Sequence, residues 1–189
     1  DRILTCLAYH MHNSNVSEIP FNDACGFIST LLPTYGYRSE EAENILNSIT
    51  IKTGILLKDG SSLFFAQFGL QEYYTSKELV NQLDVKKIAK LQPTPWWREV
   101  ILLYTAQLKD PTELLSNLFT TDPLLAVAAV AECPTPSLEM QNRAISVCLE
   151  NIDKKNNAIR GSLIPFLRKI RDNIETKFYS ELESRLIGD

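Results

Sequence analysis

The side chains able to do chemistry are few and scattered. Glu72, within Gln71-Glu72-Tyr73, could serve as a general acid or base. It would need a His, a Cys or a second carboxylate at a working spacing, and none stands there. A structural role therefore outweighs a catalytic one. In the first turn of a helix, Gln71 and Glu72 suit the helix dipole and can cap backbone donors. Tyr73 is expected to bury its ring and find a partner for its hydroxyl. His10 and His12 are two residues apart on a helical pattern, so they face different ways and do not form a joint metal site. The four cysteines, Cys6, Cys25, Cys133 and Cys148, show no CxxC spacing and sit among apolar neighbours. They read as buried free thiols of a cytoplasmic protein. No G-x-x-x-x-G-K-[ST] run exists to cradle a triphosphate. We expect no catalytic residue, no metal ligand and no enzyme activity from this chain itself.

Charge narrows the partners. The 189 residues carry a net charge of −4, which argues against general attraction to nucleic acid or anionic membrane. The apolar fraction of 44% and charged fraction of 22% are those of a globular protein with a real core. No apolar run reaches the roughly 18–20 residues of a membrane span. One stretch stands apart: Lys154, Lys155, Arg160, Arg168, Lys169 and Arg171 fall in a region free of acids. It offers a possible basic surface for nucleic acid or an acidic partner. A solvated face is the weightier reading, since Asp153 and Asp172 border it. Asn15-Val16-Ser17 fits a glycosylation triplet, but such triplets arise by chance.

The elements that position these residues fall into two kinds. Ile3, Leu4, Leu7, Ala8 and Met11 make one apolar stripe on a helix over 2–13. A second helix follows Pro20, over about 23–32, with Phe27, Ile28 and Leu31 inward. A third starts at Ser39, a good N-cap, and carries Ala42, Ile45, Leu46 and Ile49 inward until Gly54 stops it. Residues 55–58 and 62–66 are β-rich and flank Asp59-Gly60, which predicts a type I′ hairpin. A further helix follows, with Phe68, Tyr73 or Tyr74, and Leu79 available to a core. Three helices, a hairpin and a helix make a winged-helix pattern. Its third helix offers Glu40, Glu41 and Glu43 where DNA phosphates would lie, with only Arg38 and Lys52 positive at its ends. That favours protein packing over DNA binding.

Beyond residue 80 the pattern is helical only. A joint over 81–94 holds a short helix around 85–91. Then Thr94-Pro95, Asp110-Pro111, Asp122-Pro123 and Thr135-Pro136 each set a capping residue before a proline, a helix-start mark. Inward stripes are expected from Leu102, Leu103 and Ala106; Leu114, Leu115 and Leu118; Leu124, Leu125 and Ala128; and Ile145, Cys148 and Leu149. Further stripes are expected around Leu163 and Phe178. The result is a stack of helical hairpins like HEAT or TPR arrays, without a strict repeat. Trp96-Trp97 is read as core and interface packing, with a binding platform as the sharper alternative. The fold expectation is mainly α: a winged-helix domain (1–80) with one β-hairpin, a linker helix (81–94) and a helical-repeat-like domain (95–189).

The stretch Phe65-Ala66-Gln67-Phe68-Gly69-Leu70-Gln71-Glu72-Tyr73-Tyr74-Thr75-Ser76 resembles the Phe-x-His-x-Thr-Phe-Gln-Glu-Tyr-x-Ala-Ala segment of NACHT-type signalling NTPases, in the STAND class. Phe65, Gln71-Glu72-Tyr73 and the small pair Thr75-Ser76 correspond. LTCLAYHMH (4–12) is similar to that family's LxxLAxxMh helix, Gly54-Ile55-Leu56 to its approach to the wing, and WWREVILLYTAQL to the start of its helical array. The resemblance covers residues 2 to about 131. It implies a winged helix that packs on the nucleotide domain of a longer cytoplasmic protein, with ADP or ATP bound in that parent and other protomers met on activation. The family's His, which reaches the ADP phosphates, is Gln67 here. Gln67 would thus be the phosphate-facing, cofactor-binding position, able to donate a hydrogen bond but carrying no charge. The plain alternative is a polar residue at a strand end.

The expectation for function is a non-catalytic regulatory and interaction fragment of a NACHT-like NTP-dependent switch, its helical arm transmitting or sensing. Phe65, Gln71, Glu72, Tyr73, Trp96 and Trp97 would be structural or interface residues. The chain begins on Asp1 with helical pattern already under way, and is read as a piece of a longer protein. A stand-alone helical-repeat adaptor and a winged-helix nucleic-acid regulator are the other readings. An upstream P-loop would separate the first from both. A steep salt slope on duplex DNA would favour the last.

Overall fold

The computed structural model describes residues 1–82 and 94–152. Among the described residues the chain is mainly helical, with one small three-stranded antiparallel sheet. It divides into two compact units, Asp1–Leu83 and Asp84–Asp189. The basic stretch Lys154, Lys155, Arg160, Arg168, Lys169 and Arg171, the stripes around Leu163 and Phe178, and the short helix around 85–91 lie outside the described residues.

The first unit is built from α1 (Arg2–Asn13), β1 (Glu18–Pro20), α2 (Phe21–Leu31), α3 (Ala42–Thr53), β2 (Leu56–Asp59), β3 (Ser62–Phe65) and α4 (Phe68–Gln82). Its core gathers Leu4, Leu7, Ala8 and Met11 of α1 with Phe21, Ala24 and Ile28 of α2, Leu46 of α3, and Leu56, Leu63 and Phe65 of the strands. Helices α1 and α4 lie against each other. The facing stripe of α4 includes Thr75 and Ser76, both fully buried, and such small side chains allow close approach.

Four details differ from expectation. The hairpin gains a third strand: β1 pairs with β3, Glu18 opposite Phe64 and Ile19 opposite Leu63. Glu18-Ile19-Pro20 is short, follows a polar run and contains a proline, so it carries no strand signal of its own, and β3 supplies the template. The turn is also shifted. Asp59 pairs with Ser62, so the two turn residues are Gly60-Ser61 rather than Asp59-Gly60. Only Gly60 has positive φ (56°), which fits a type II′ turn, with glycine first, rather than type I′. Ser39 does not cap a helix, because its hydroxyl donates to the Ser29 carbonyl. Instead the Arg38 N–H donates to the Glu41 carboxylate at 2.8 Å and opens a short 3₁₀ turn, Ser39–Glu41, ahead of α3. Gly54, at φ 64°, ends α3 as expected.

The second unit contains α5 (Pro95–Gln107), α6 (Thr112–Thr121), α7 (Pro123–Glu132) and α8 (Leu138–Ile152). Among the described helices of this unit, α7 is central and touches the other three. Its Ala126, Ala129 and Ala131 are buried, so neighbours approach its backbone closely. The buried face of α5 is Trp97, Val100, Ile101, Tyr104 and Thr105, while Leu102, Leu103 and Ala106 are only half-buried. Helix α8 starts later than Thr135-Pro136 suggests. Ser137 caps it, its hydroxyl accepting the Met140 N–H at 3.3 Å. No described helix is long and apolar enough to cross a membrane.

Candidate functional site

The junction between β3 and α4 gathers the distinctive residues. Phe65 ends the strand with its ring buried, its centroid 6.0 Å from that of Tyr74. The Ala66 N–H donates to the Ile55 carbonyl at 2.9 Å, extending the hairpin by one residue. The chain then bends at Gln67, whose carbonyl accepts the Leu70 N–H at 3.0 Å and so starts α4. The Gln67 side chain is exposed at this bend. Phe68 follows, 39% exposed, with its ring 6.0 Å from that of His12.

Gln71 is fully buried and does not serve its own helix. Its Nε2 donates to the Val16 carbonyl at 3.0 Å, across 55 residues of sequence. This tethers the turn after α1, where Asn15 adopts φ 55°. Having Nε2 on a carbonyl fixes the orientation of the amide, and Oε1 is left buried without a partner. Glu72 is half-buried. Tyr73 departs from expectation: it is 40% exposed, and Tyr74, at 7%, holds the core position. The two rings meet edge-on at 5.4 Å, and the Lys77 ammonium lies 5.3 Å from the Tyr73 ring.

One turn beyond Tyr74, α4 turns a carboxylate inward. Glu78 is buried, and its Oε2 accepts from Arg2 Nη1 and from the Thr5 hydroxyl, each at 2.7 Å. Gln82 Nε2 reaches Oε1 at 3.3 Å. Arg2 Nε also donates to the Tyr35 hydroxyl at 3.1 Å, and Cys6 Sγ lies 3.7 Å from Glu78 Oε2. A carboxylate so fully engaged is a fastener and not a free base. Burial, with the Glu78 charge next, raises the Cys6 thiol above its ordinary pKa. The thiol is therefore protonated at neutral pH and a poor nucleophile. The signal for Glu78 was present: Gln71, Tyr74, Thr75, Glu78, Leu79 and Gln82 follow a 3–4 spacing, so a glutamate falls on the inward stripe of α4.

The remaining candidates stay apart. His10 stacks on Phe27 at 4.0 Å while His12 is buried beside Phe68, so the two histidines share no site. Among the described residues no group of three or more His, Cys, Asp or Glu could hold a metal ion. All four cysteines are free; Cys133 and Cys148 are buried, but Cys6 and Cys25 are only half-buried. Trp97 is buried in α5 and Trp96 is half-buried beside it. Several clefts mark the first unit, two of them beside the junction and the Arg2–Tyr35 contact. One, of about 370 Å³, is lined by Arg2, Tyr35, Tyr37, Ile49 and Ile55 among others. The second, of about 320 Å³, is lined by Ser17, Glu18, Asp59, Phe64, Phe65, Phe68 and Gln71.

No protein-family model, curated protein or solved structure matches the chain.

Proposed function

We propose that this chain is the regulatory, non-catalytic part of a NACHT-like NTP-dependent switch. In this reading residues 1–80 are a winged helix that packs on a nucleotide domain, and residues 95–189 are a HEAT- or TPR-like arm that transmits or senses. The observation that carries it is Gln67. Its side chain is exposed at the β3–α4 bend, between Phe65 and Gln71, both buried. A polar residue held out from two fixed anchors is suited to meet an external acceptor such as a phosphate. A DNA-reading role fits less well, because Glu40 and Glu43 are exposed before and on α3.

The test is binding of this chain to the nucleotide-binding segment encoded upstream of it. Tight association with ADP and weaker association with a non-hydrolysable ATP analogue are expected. Gln67→Ala should weaken the ADP complex about tenfold or more, the worth of one hydrogen bond to a charged group. Upstream coding sequence without a P-loop, or binding indifferent to nucleotide, would sink the reading and leave a helical-repeat adaptor in its place.

A further inference from the structure

The second cleft has a chemistry of its own, independent of any nucleotide. Antiparallel partners point to the same face of a sheet, so Glu18, Phe64 and Leu57 form one row across β1, β3 and β2. Asp59 stands on the same face, opposite Ser62. Ile19, Leu63, Leu56 and Phe65 fill the other face and the core. The outer face thus sets two acids around half-buried Phe64, with Phe68 at the edge. Neither Glu18 nor Asp59 has an ion-pair partner among the described residues. Lys58, next to Asp59 in sequence, is turned to the opposite side, its ammonium 3.7 Å from the Phe21 ring.

The buried end of this cleft is Gln71. Its Nε2 is committed to Val16, and Oε1 is an acceptor with no donor. A buried acceptor left unfilled costs on the order of 1–3 kcal/mol, so a donor entering there would be well received. The cleft therefore offers two carboxylates, aromatic faces and a neutral acceptor, and no positive group among its lining residues. The acids stand on strands separated by a third and are offset by two residues along them, about 12 Å apart at the backbone, which suits an extended side chain better than a single ion. At about 320 Å³ the space is at the small end of ligand clefts.

We propose that this outer-face cleft receives an arginine side chain of a partner protein. The guanidinium is planar, stacks on aromatic rings and carries five donors, so it can lie on Phe64 while bonding a carboxylate and Gln71 Oε1 together. A lysine could meet the charge but neither the stacking nor the donor geometry.

The experiment is a titration of the ¹⁵N-labelled chain with the capped tripeptide Gly-Arg-Gly at low salt, beside its lysine and citrulline counterparts. Saturable shifts are expected at the Gln71 side-chain amide and at the Phe64 and Phe68 backbone. The lysine peptide should bind several-fold more weakly and the citrulline peptide not measurably. Glu18→Gln with Asp59→Asn, both exposed and neutral in shape, should weaken arginine binding at least tenfold while leaving the rest of the spectrum in place. Gln71→Met adds a second check on the acceptor. Shifts that miss the cleft, equal binding of the citrulline peptide, or an unaffected double variant would each overturn the proposal.

Discussion

Glu78 on α4 and Arg2 at the start of α1 meet at 2.7 Å, joining two helices 76 residues apart in sequence. The two ends of this bond differ in environment, with the Arg2 side chain 43% exposed and that of Glu78 5%. Water can replace much of what Arg2 supplies, so the ion pair itself is worth only about 0–1 kcal/mol. The Thr5 hydroxyl is buried; without Glu78 it falls back on the Arg2 carbonyl at 2.9 Å, a neutral acceptor, whereas its hydrogen bond to the charged carboxylate at 2.7 Å is worth about 1.5–3 kcal/mol. Glu78→Ala should therefore destabilise the first unit by about 2–3 kcal/mol, and Arg2→Ala by about 1 kcal/mol. Native-state hydrogen exchange of α1 and α4 amides reads both. A larger loss for Arg2→Ala would show that the ion pair, and not the Thr5 bond, is the fastener.

Gln71 gives a second contrast. Its Nε2 satisfies the Val16 carbonyl while its Oε1 has no partner, so its two polar ends work against each other. Gln71→Met keeps the volume, strands the Val16 carbonyl and removes the buried oxygen. The net loss should be about 1 kcal/mol, whereas Gln71→Ala adds a cavity and should cost about 2–4 kcal/mol. Exchange of amides around Val16 distinguishes them: Gln71→Met should loosen this turn more than it loosens the α4 amides.

The first helix and the presence of a hairpin are legible in the sequence, because apolar spacing and a turn glycine are local signals, but the turn register is set by strand pairing. Strand β1 is not legible, since pairing of Glu18–Pro20 with β3 is a long-range event. The buried face of α5 differs from the expected stripe because WWREVILLYTA is apolar nearly all round, and periodicity cannot choose a side. At the junction the expected capping role of Gln71 is replaced by its bond to Val16, which spans 55 residues and leaves no local signal. Tyr73 and Tyr74 are adjacent and chemically alike, and only packing against Phe65 decides which is buried. Glu78 is hard to read from sequence because an acid on a core stripe runs against apolar periodicity. Such contradictions mark long-range polar contacts.

The helix caps of the second unit make a third prediction. Asp122 accepts the Leu125 N–H at 3.0 Å and starts α7, the central helix. Asp122→Ala should cost about 1 kcal/mol, read as a lower melting temperature. Asp110 is exposed, and its bonds from Thr112 hold its carboxyl below the ordinary range. A depressed carboxylate pKa means that its contribution is present above the unfolded value and is lost as pH falls through the folded one. The difference between Asp110→Asn and the parent chain should therefore vanish in acid. A difference that persists at low pH would place the effect elsewhere.

Cys148 makes the opposite pH prediction. It is fully buried on α8, and burial raises its thiol from 9.0 to about 12. Here the neutral form is the one the fold favours. Below about pH 9 folded and unfolded chains both keep the proton, and burial of the thiol costs nothing electrostatically. Above that pH the unfolded chain releases its proton and the folded chain does not, so the unfolded state gains. Stability of the second unit should fall by about 1 kcal/mol per pH unit from roughly pH 9 to 12, near the limit for one proton. Lysines and tyrosines also titrate there, so the informative quantity is the difference from Cys148→Ala. That variant should be less stable at pH 7, having lost buried sulfur, and should show a shallower decline above pH 9. Chemical denaturation at pH 7, 9 and 10 checks this. Parallel declines would mean that the thiol is not held neutral by the core. Alkylation gives an independent reading: Cys25 and Cys6, half-buried, should react in the native chain well before Cys148.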